Sequence, residues 1–274
     1  MEKRDADNLA RPSNRKMDHC CKPGCVWCSK RYSLVILTMF GFIISFGLRC
    51  NVRVATVSIL SNHTDSSGVL VVPAEIHWSL ESIQNVDASF NLGFIATQIP
   101  GGFLAAKVPA HRLFGIAILL SSCLNMILPL AIKLSPFAVI GVRVLQGLAE
   151  GVTYPACHGV LRWWASSPDR SILTSIAYSG TFIGTALGMP LSGLLNEKIG
   201  WSAPFYFYGC LGILWFFLWL WFAFEKPSTH PAISEEELLY IEQYLVKTSS
   251  NSSLTILSKD LLKVSGGLMC LKNM

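Results

Sequence analysis

The sequence is short of charge. Only 14% of its 274 residues are Asp, Glu, Lys or Arg, against about 25% in an ordinary soluble domain. Hydrophobic residues make up 51%, so the missing charge is replaced by side chains that suit lipid better than water. The net charge of +5 reads as cytosolic flanks and loops of a membrane protein, where Lys and Arg collect, and no nucleic-acid partner is expected. Cysteine is lacking where a disulfide framework needs it. Cys20, Cys21, Cys25 and Cys28 precede the first apolar run, Cys50, Cys123, Cys157 and Cys210 lie inside apolar runs, and Cys270 is in the tail. A cleavable leader is lacking too, because the first 31 residues are polar and the first apolar run is too long and begins too late. The apolar runs hold no nucleophile–base pair and no metal cluster, which weighs against an enzyme; no cofactor is expected.

Long apolar runs are what the sequence does have. A hydrocarbon core about 30 Å thick needs roughly 20 apolar residues of helix, and six runs meet that need: 32–60, 83–106, 113–132, 137–163, 172–196 and 204–224. Helices satisfy their backbone amides locally, as lipid demands, so the fold class is an all-α membrane protein with six transmembrane helices. Residues 1–31 form a basic, Cys-rich cytosolic segment, 32–225 the helical bundle, and 226–274 a cytosolic tail. Basic residues set the direction. Lys3, Arg4, Arg11, Arg15, Lys16, Lys22, Lys30 and Arg31 precede the first span, and the loop after it has no Lys or Arg. Lys107, Arg112, Arg162 and Arg170 follow spans two and four, against Lys133 and Lys198 after spans three and five. Both chain ends are therefore expected in the cytosol.

The flanks carry weaker signals. The run His19-Cys20-Cys21-Lys22-Pro23-Gly24-Cys25-Val26-Trp27-Cys28 has Cys-x-x-Cys spacing that suits zinc. Juxtamembrane cysteines among basic residues are more often unstructured or palmitoylated, and no metal site is assigned. In the tail, Ser234 and Glu237 read as a capping box opening a short helix over 234–247, whose Leu238, Leu239, Ile241, Tyr244 and Leu245 form an apolar stripe on the cytosolic face.

Charges inside the spans need a reason, since each costs at least about 2.5–3.5 kcal/mol at the bilayer centre. Arg49 and Arg53 are in span one and Asp87 is early in span two. In span four, Arg143, Gly147, Glu150, Tyr154 and His158 fall on one narrow helical face. Two readings stay open. The face is a buried network, Arg143 with Glu150 or Asp87, that holds helices together; or arginine supplies a positive field for an anionic substrate while Glu150 or a nearby carboxylate exchanges protons. His158 lies close to the cytosolic end, and Arg53 is near enough to a helix end to snorkel. In span five, Gly180, Gly184, Gly188 and Gly193 let helices approach closely, and Pro190 is placed to kink the span.

Several of these segments form a pattern: Gly41-Phe42-Ile43-Ile44-Ser45-Phe46-Gly47-Leu48-Arg49-Cys50-Asn51, then Thr97-Gln98-Ile99-Pro100-Gly101-Gly102-Phe103. The most specific is Val142-Arg143-Val144-Leu145-Gln146-Gly147-Leu148-Ala149-Glu150-Gly151-Val152-Thr153-Tyr154-Pro155-Ala156-Cys157-His158-Gly159; Ile199-Gly200-Trp201 and His230-Pro231-Ala232-Ile233-Ser234 add to it. Over about residues 30–245 the sequence resembles the vesicular glutamate transporter and sialin family, an anion:cation symporter branch of the major facilitator superfamily. The resemblance implies an N-terminal half of that fold, a 3+3 inverted repeat, with substrate bound between halves near the midplane. It implies glutamate uptake driven by membrane potential and proton gradient, with chloride or sodium as further partners. It assigns substrate binding to Arg49, Arg143 and Tyr154, and proton or ion coupling to Glu150; from their own place in the spans, Asp87 and His158 are further candidates for coupling. It implies a synaptic or other intracellular vesicle membrane, or the plasma membrane. Asp87 departs from the family, whose glutamate branch usually has histidine there; the acid is expected to pair with Arg49 or Arg53 or to carry the coupled proton. A second half, with a further family arginine, is not within these residues.

Three functions compete: organic-anion uptake with glutamate foremost, sialic-acid/proton or sodium/phosphate symport, and a non-transporting truncated form that self-associates or pairs with a C-terminal half. The topology is open to a direct check. Asn62-His63-Thr64 lies in the loop after span one and Asn251-Ser252-Ser253 in the tail, so mass spectrometry of the expressed protein is expected to find glycan on Asn62 and none on Asn251. The reverse result overturns the orientation.

Overall fold

The computed structural model describes residues 29–60, 63–64, 70–72, 80–165, 169–230, 233, 235 and 237–243. Cys20, Cys21, Cys25, Cys28, Cys270, Asn62 and Asn251 lie outside the described residues. Among the described residues of 30–222 there are seven α-helices: α1 (Lys30–Leu60), α2 (Leu80–Lys107), α3 (Ala110–Leu134), α4 (Pro136–Glu150), α5 (Thr153–Trp164), α6 (Arg170–Ile199) and α7 (Ala203–Phe222). The described residues between α1 and α2 form a short antiparallel pair, β1 (His63–Thr64) with β2 (Leu70–Val72). Residues 34–229 form one compact unit; residues 1–33 and 230–274 group as another.

Each expected span is helical, but the fourth is two helices. Pro155 has no amide to offer the Gly151 carbonyl, and the ladder breaks between Glu150 and Thr153. Gly151 (φ −61°, ψ −22°) and Val152 (φ −82°, ψ −13°) keep right-handed helical dihedrals, so the chain continues onward rather than turning back. The Thr153 hydroxyl donates to the Glu150 carbonyl at 2.7 Å, covering one acceptor freed at the break. Among the described residues four segments are long and apolar enough to cross a membrane: Lys30–Ala55, Ala110–Leu134, Arg170–Ile199 and Ala203–Phe222. α2 misses that standard although it has 28 residues, because its first half carries Gln84, Asn85, Asp87, Ser89 and Asn91. α4 and α5 miss it because they have 15 and 12 residues. Of these less apolar helices, α4 carries the buried Arg143, Gln146 and Glu150.

Local chemistry fixes the turns. Ser135 ends α3 and begins α4 from one extended conformation (φ −171°, ψ 157°). Its N–H donates to the Ala131 carbonyl, and its Oγ accepts from the Ala138 amide, with Pro136 at the first helical position. α6 stops at Gly200, whose φ of 128° suits only glycine.

Inside the unit, α2 runs along α4 and α5, while α3 packs on α4, α5 and α7. α2 and α4 touch backbone to backbone: a Cβ on Gly147 would lie 2.2 Å from the Phe90 carbonyl oxygen, and one on Gly93 2.4 Å from that of Val144. The stripe on α6 behaves similarly toward α1, with Gly180 against the Met39 carbonyl and Gly184 against that of Ile43; Gly193 faces open space. Two stacked indoles on α7 pin neighbours by their N–H groups, Trp215 to the Leu37 carbonyl at 3.0 Å and Trp219 to that of His111 at 2.7 Å. Large apolar side chains such as Leu92, Ile99, Phe103, Phe182 and Trp221 point outward, the arrangement expected where the surroundings are hydrocarbon or another apolar surface.

In the flanking unit, residues 237–243 are helical. Glu237, expected as the acid of a capping box for its own helix, spends its carboxylate on the start of α1. It accepts from the Ser29 hydroxyl and from the Lys30 and Arg31 amides at 3.1 and 3.2 Å. Those amides are orphan donors of a helix N-terminus, where a negative group is favoured.

Candidate functional site

The side chains gathered around Glu150 and Arg143 come from four helices. α1 supplies Ser45 and Arg49, one turn apart and therefore on one face. α2 supplies Asp87 with Phe90 and Phe94, α3 supplies Ser121, and α4 supplies Arg143, Gln146 and Glu150. Of the α4 face, Val139, Arg143, Gln146, Gly147 and Glu150 are all buried. Gly147 is there because α2 leaves no room for a side chain; the other polar members are there to meet partners.

Glu150 is the centre. Its carboxylate is fully buried, and Oε2 accepts from Arg49 Nε at 2.7 Å and from Ser45 Oγ at 2.7 Å. Oε1 accepts from Ser121 Oγ at 2.5 Å. Three helices besides α4 thus contribute to the setting: α1 and α3 by hydrogen bonds, α2 by its aromatic rings. The Arg49 guanidinium lies over the rings of Phe46, Phe90 and Phe94, with its carbon 4.4, 4.9 and 4.7 Å from their centroids. A delocalised, weakly hydrated cation suits such faces better than an ammonium does.

Arg143 does not pair with Glu150. Its Nη1 donates to Gln146 Oε1 at 3.0 Å, and its Nη2 lies 3.8 Å from Asp87 Oδ1. Its guanidinium carbon also lies 5.1 Å from the centroid of Phe90, a ring it shares with Arg49. Asp87 in turn accepts from Arg53 Nε at 3.1 Å. Of the partners expected for Asp87, the structure selects Arg53, and Arg53 is therefore ion-paired as well as exposed. Of the partners expected for Arg143, it selects Asp87.

Three buried donors at this centre have no hydrogen-bond partner among the described residues: Arg49 Nη2, Arg143 Nε and Gln146 Nε2. Buried polar groups are normally satisfied, and exceptions mark places with a further role. All three are donors with nothing to accept, two of them on cations, and an anion is the partner such a set suits.

Tyr154 and His158, beyond the helix break, sit differently. Tyr154 is half-buried between the rings of Phe42, Phe94 and Tyr178. His158 is exposed, its Nε2 2.8 Å from the Tyr178 hydroxyl. The face expected to run unbroken from Arg143 to His158 thus divides: Arg143, Gly147 and Glu150 turn inward, and His158 does not contact the carboxylate. Among the described residues no group of His, Cys, Asp or Glu is arranged to hold a metal. Cys50 and Cys157 are buried free thiols, and Cys123 and Cys210 exposed ones.

Sequence reasoning missed Ser45, Ser121, Phe90 and Tyr178. Ser45 had a signal, because it precedes Arg49 by four residues. Ser121 and Tyr178 had none, since their partners are remote in the chain.

Residues 38–269 match the model of the Major Facilitator Superfamily. The chain is 47% identical to vesicular glutamate transporter 1 of Bos taurus over 220 residues, 80% of this chain and 39% of that protein. It is 45% identical to vesicular glutamate transporter 3 of Danio rerio over 221 residues, 80% and 38% of the two chains. Against vesicular glutamate transporter 2 of Homo sapiens the identity is 43% over 232 residues, 84% and 40%. The chain spans about two-fifths of the length of the curated relatives it matches.

The central pair generates a stability prediction. Removing one partner of a buried ion pair costs about 3–5 kcal/mol, chiefly because the other charge is left uncompensated. Arg49→Ala is expected to lower the thermal unfolding temperature of the purified chain markedly, and Arg49→Ala combined with Glu150→Gln to recover most of the loss. Losses that simply add show that the two groups are not coupled.

Proposed function

This chain belongs to the Major Facilitator Superfamily, and from that premise we propose that it binds and carries small organic anions across a membrane, L-glutamate foremost. The observation that carries the proposal is the set of unused buried donors, Arg49 Nη2, Arg143 Nε and Gln146 Nε2, with both guanidinium groups against Phe90. The names of the relatives support glutamate as the first anion to test.

In this reading Arg49 and Arg143 take the substrate carboxylates, and Tyr154 lines the approach. Glu150 is the resident anion that Arg49 holds until substrate arrives. When a substrate carboxylate draws the guanidinium toward itself, Glu150 is left buried without a cation, and it must be neutralised. A proton is the smallest charge that can do so, which links anion movement to a proton gradient. Membrane potential acts on the same event, because a net charge moves with the anion. Asp87 lies on one side of the pair, and His158 with Tyr178 lies beyond the helix break; they are the candidates for passing protons, with chloride or sodium as further ions. The six spans 32–60, 83–106, 113–132, 137–163, 172–196 and 204–224 cross the membrane with both chain ends cytosolic, in a vesicle or plasma membrane, and the substrate site is completed by a second six-helix half.

Asp87 favours keeping a second reading. By engaging Arg53 and Arg143 it lowers the positive charge offered to substrate, which suits sialate or phosphate carried with a cation as well as glutamate. Proteoliposomes holding the purified chain separate these readings by uptake of labelled glutamate, sialate and phosphate under an imposed potential and an imposed proton gradient. Glutamate uptake above that of protein-free liposomes is expected. Arg143→Ala is expected to reduce it by more than about tenfold, since truncating one side of a buried charged contact costs roughly 2–5 kcal/mol. Uptake that survives Arg143→Ala removes Arg143 from the site. Preference for sialate or phosphate replaces the substrate, and no uptake of any anion supports a partner-binding role for this chain.

A further inference from the structure

Glu150 has a second set of partners besides Arg49, and their chemistry is different. Ser45 on α1 and Ser121 on α3 are both fully buried, and each directs its hydroxyl at a different carboxylate oxygen, Ser45 at Oε2 and Ser121 at Oε1. An arginine can only donate. A serine hydroxyl donates one hydrogen bond and accepts others, and its hydrogen rotates to suit. The two serines can therefore serve a carboxyl oxygen with or without a proton, whereas Arg49 can serve only an oxygen that carries none.

We propose that Ser45 and Ser121 are positioning residues that hold Glu150 in place through its change of charge, and that Ser121 is the hydroxyl that reverses. The two oxygens are not equivalent. Oε2 already accepts from both Arg49 and Ser45, while Oε1 accepts from Ser121 alone. A proton arriving on Oε1 forms an O–H bond there and leaves Oε2 an acceptor for Ser45. Ser121 then turns its own hydrogen away and accepts from the new O–H; no covalent bond of the serine changes.

The released hydroxyl hydrogen has a destination. A serine within a helix can donate to the carbonyl four residues back, and the next residue shows that this helix permits it: Ser122 Oγ donates to the Ile118 carbonyl at 2.7 Å. For Ser121 the corresponding acceptor is the Ala117 carbonyl. The other charged or titratable groups that bear on Glu150 cannot substitute. Arg49 and Arg53 on α1 and Arg143 on α4 are donors only, Asp87 on α2 is engaged by Arg53 and Arg143, and the Tyr154 ring on α5 is packed between Phe42 and Tyr178. α3 brings the Ser121 hydroxyl to the carboxylate.

The inference rests on Glu150 being the group that exchanges a proton, and it does not require that the chain transport anything. Its test reads the carboxyl group itself: infrared difference spectra of the whole purified chain in lipid nanodiscs, titrated from alkaline to acid pH. Protonation of Glu150 is expected to give a carboxylic C=O band that is absent in Glu150→Gln. That band is expected to shift to higher frequency in Ser121→Ala and in Ser45→Ala, as each removes one hydrogen bond, and to return in Ser121→Thr, which restores a hydroxyl. If Ser121→Ala does not fold, Ser121→Cys, with its weaker hydrogen bond, is expected to show a smaller shift in the same direction. A Glu150 band that stays in place in these variants overturns the proposal, and so does the lack of any such band in the unmodified chain. A chain that shows the shifts but takes up no anion keeps this proposal and loses the transport reading.

Discussion

A guanidinium and a carboxylate 2.7 Å apart, Arg49 on α1 and Glu150 on α4, dictate much of what surrounds them. Neither charge is tolerable alone in such an interior. The three phenyl rings around Arg49 and the two hydroxyls on Glu150 lower the cost of keeping the pair out of water. The backbone contact of α2 with α4 at Gly93 and Gly147 brings Phe90 close enough to serve both arginines. The same glycines explain why a helix face rich in charge still packs tightly.

A second ion-paired chain runs beside the first: Arg53 to Asp87 to Arg143. Three arginines face two carboxylates in this region, so one positive charge is left over when all five groups are ionised. That surplus, with donors on Arg49, Arg143 and Gln146 unused, is the electrostatic basis for reading the region as an anion site. Arg49 is the residue with a choice to make, because it holds Glu150 through Nε and leaves Nη2 unused.

How much of this could be read from the sequence depends on how local the cause is. Helix positions followed from apolar run length, and the structure has helix over every one of the six runs. The charges inside those runs were conspicuous because lipid makes them costly, so Arg49, Asp87, Arg143 and Glu150 could be named without coordinates. Their pairing could not. One face of span four puts Arg143 and Glu150 together by periodicity, yet the carboxylate turns to α1 and the guanidinium to α2, a choice made by packing between helices. The break at Gly151 was visible only as Gly and Pro155 within an apolar run. Glu237 had the spacing of a local cap, and nothing in its neighbourhood indicates the distant amides of Lys30 and Arg31 that it meets instead. Ser121 looked like any small residue in a span.

The central claim is that Arg49 is shared between Glu150 and an incoming anion. Calorimetric measurement of L-glutamate binding to the chain and to its Glu150→Gln variant tests this most directly. If the two carboxylates compete for one guanidinium, the variant binds glutamate more tightly than the unmodified chain. Equal or weaker binding by the variant contradicts the competition and leaves the Arg49–Glu150 pair a purely structural contact.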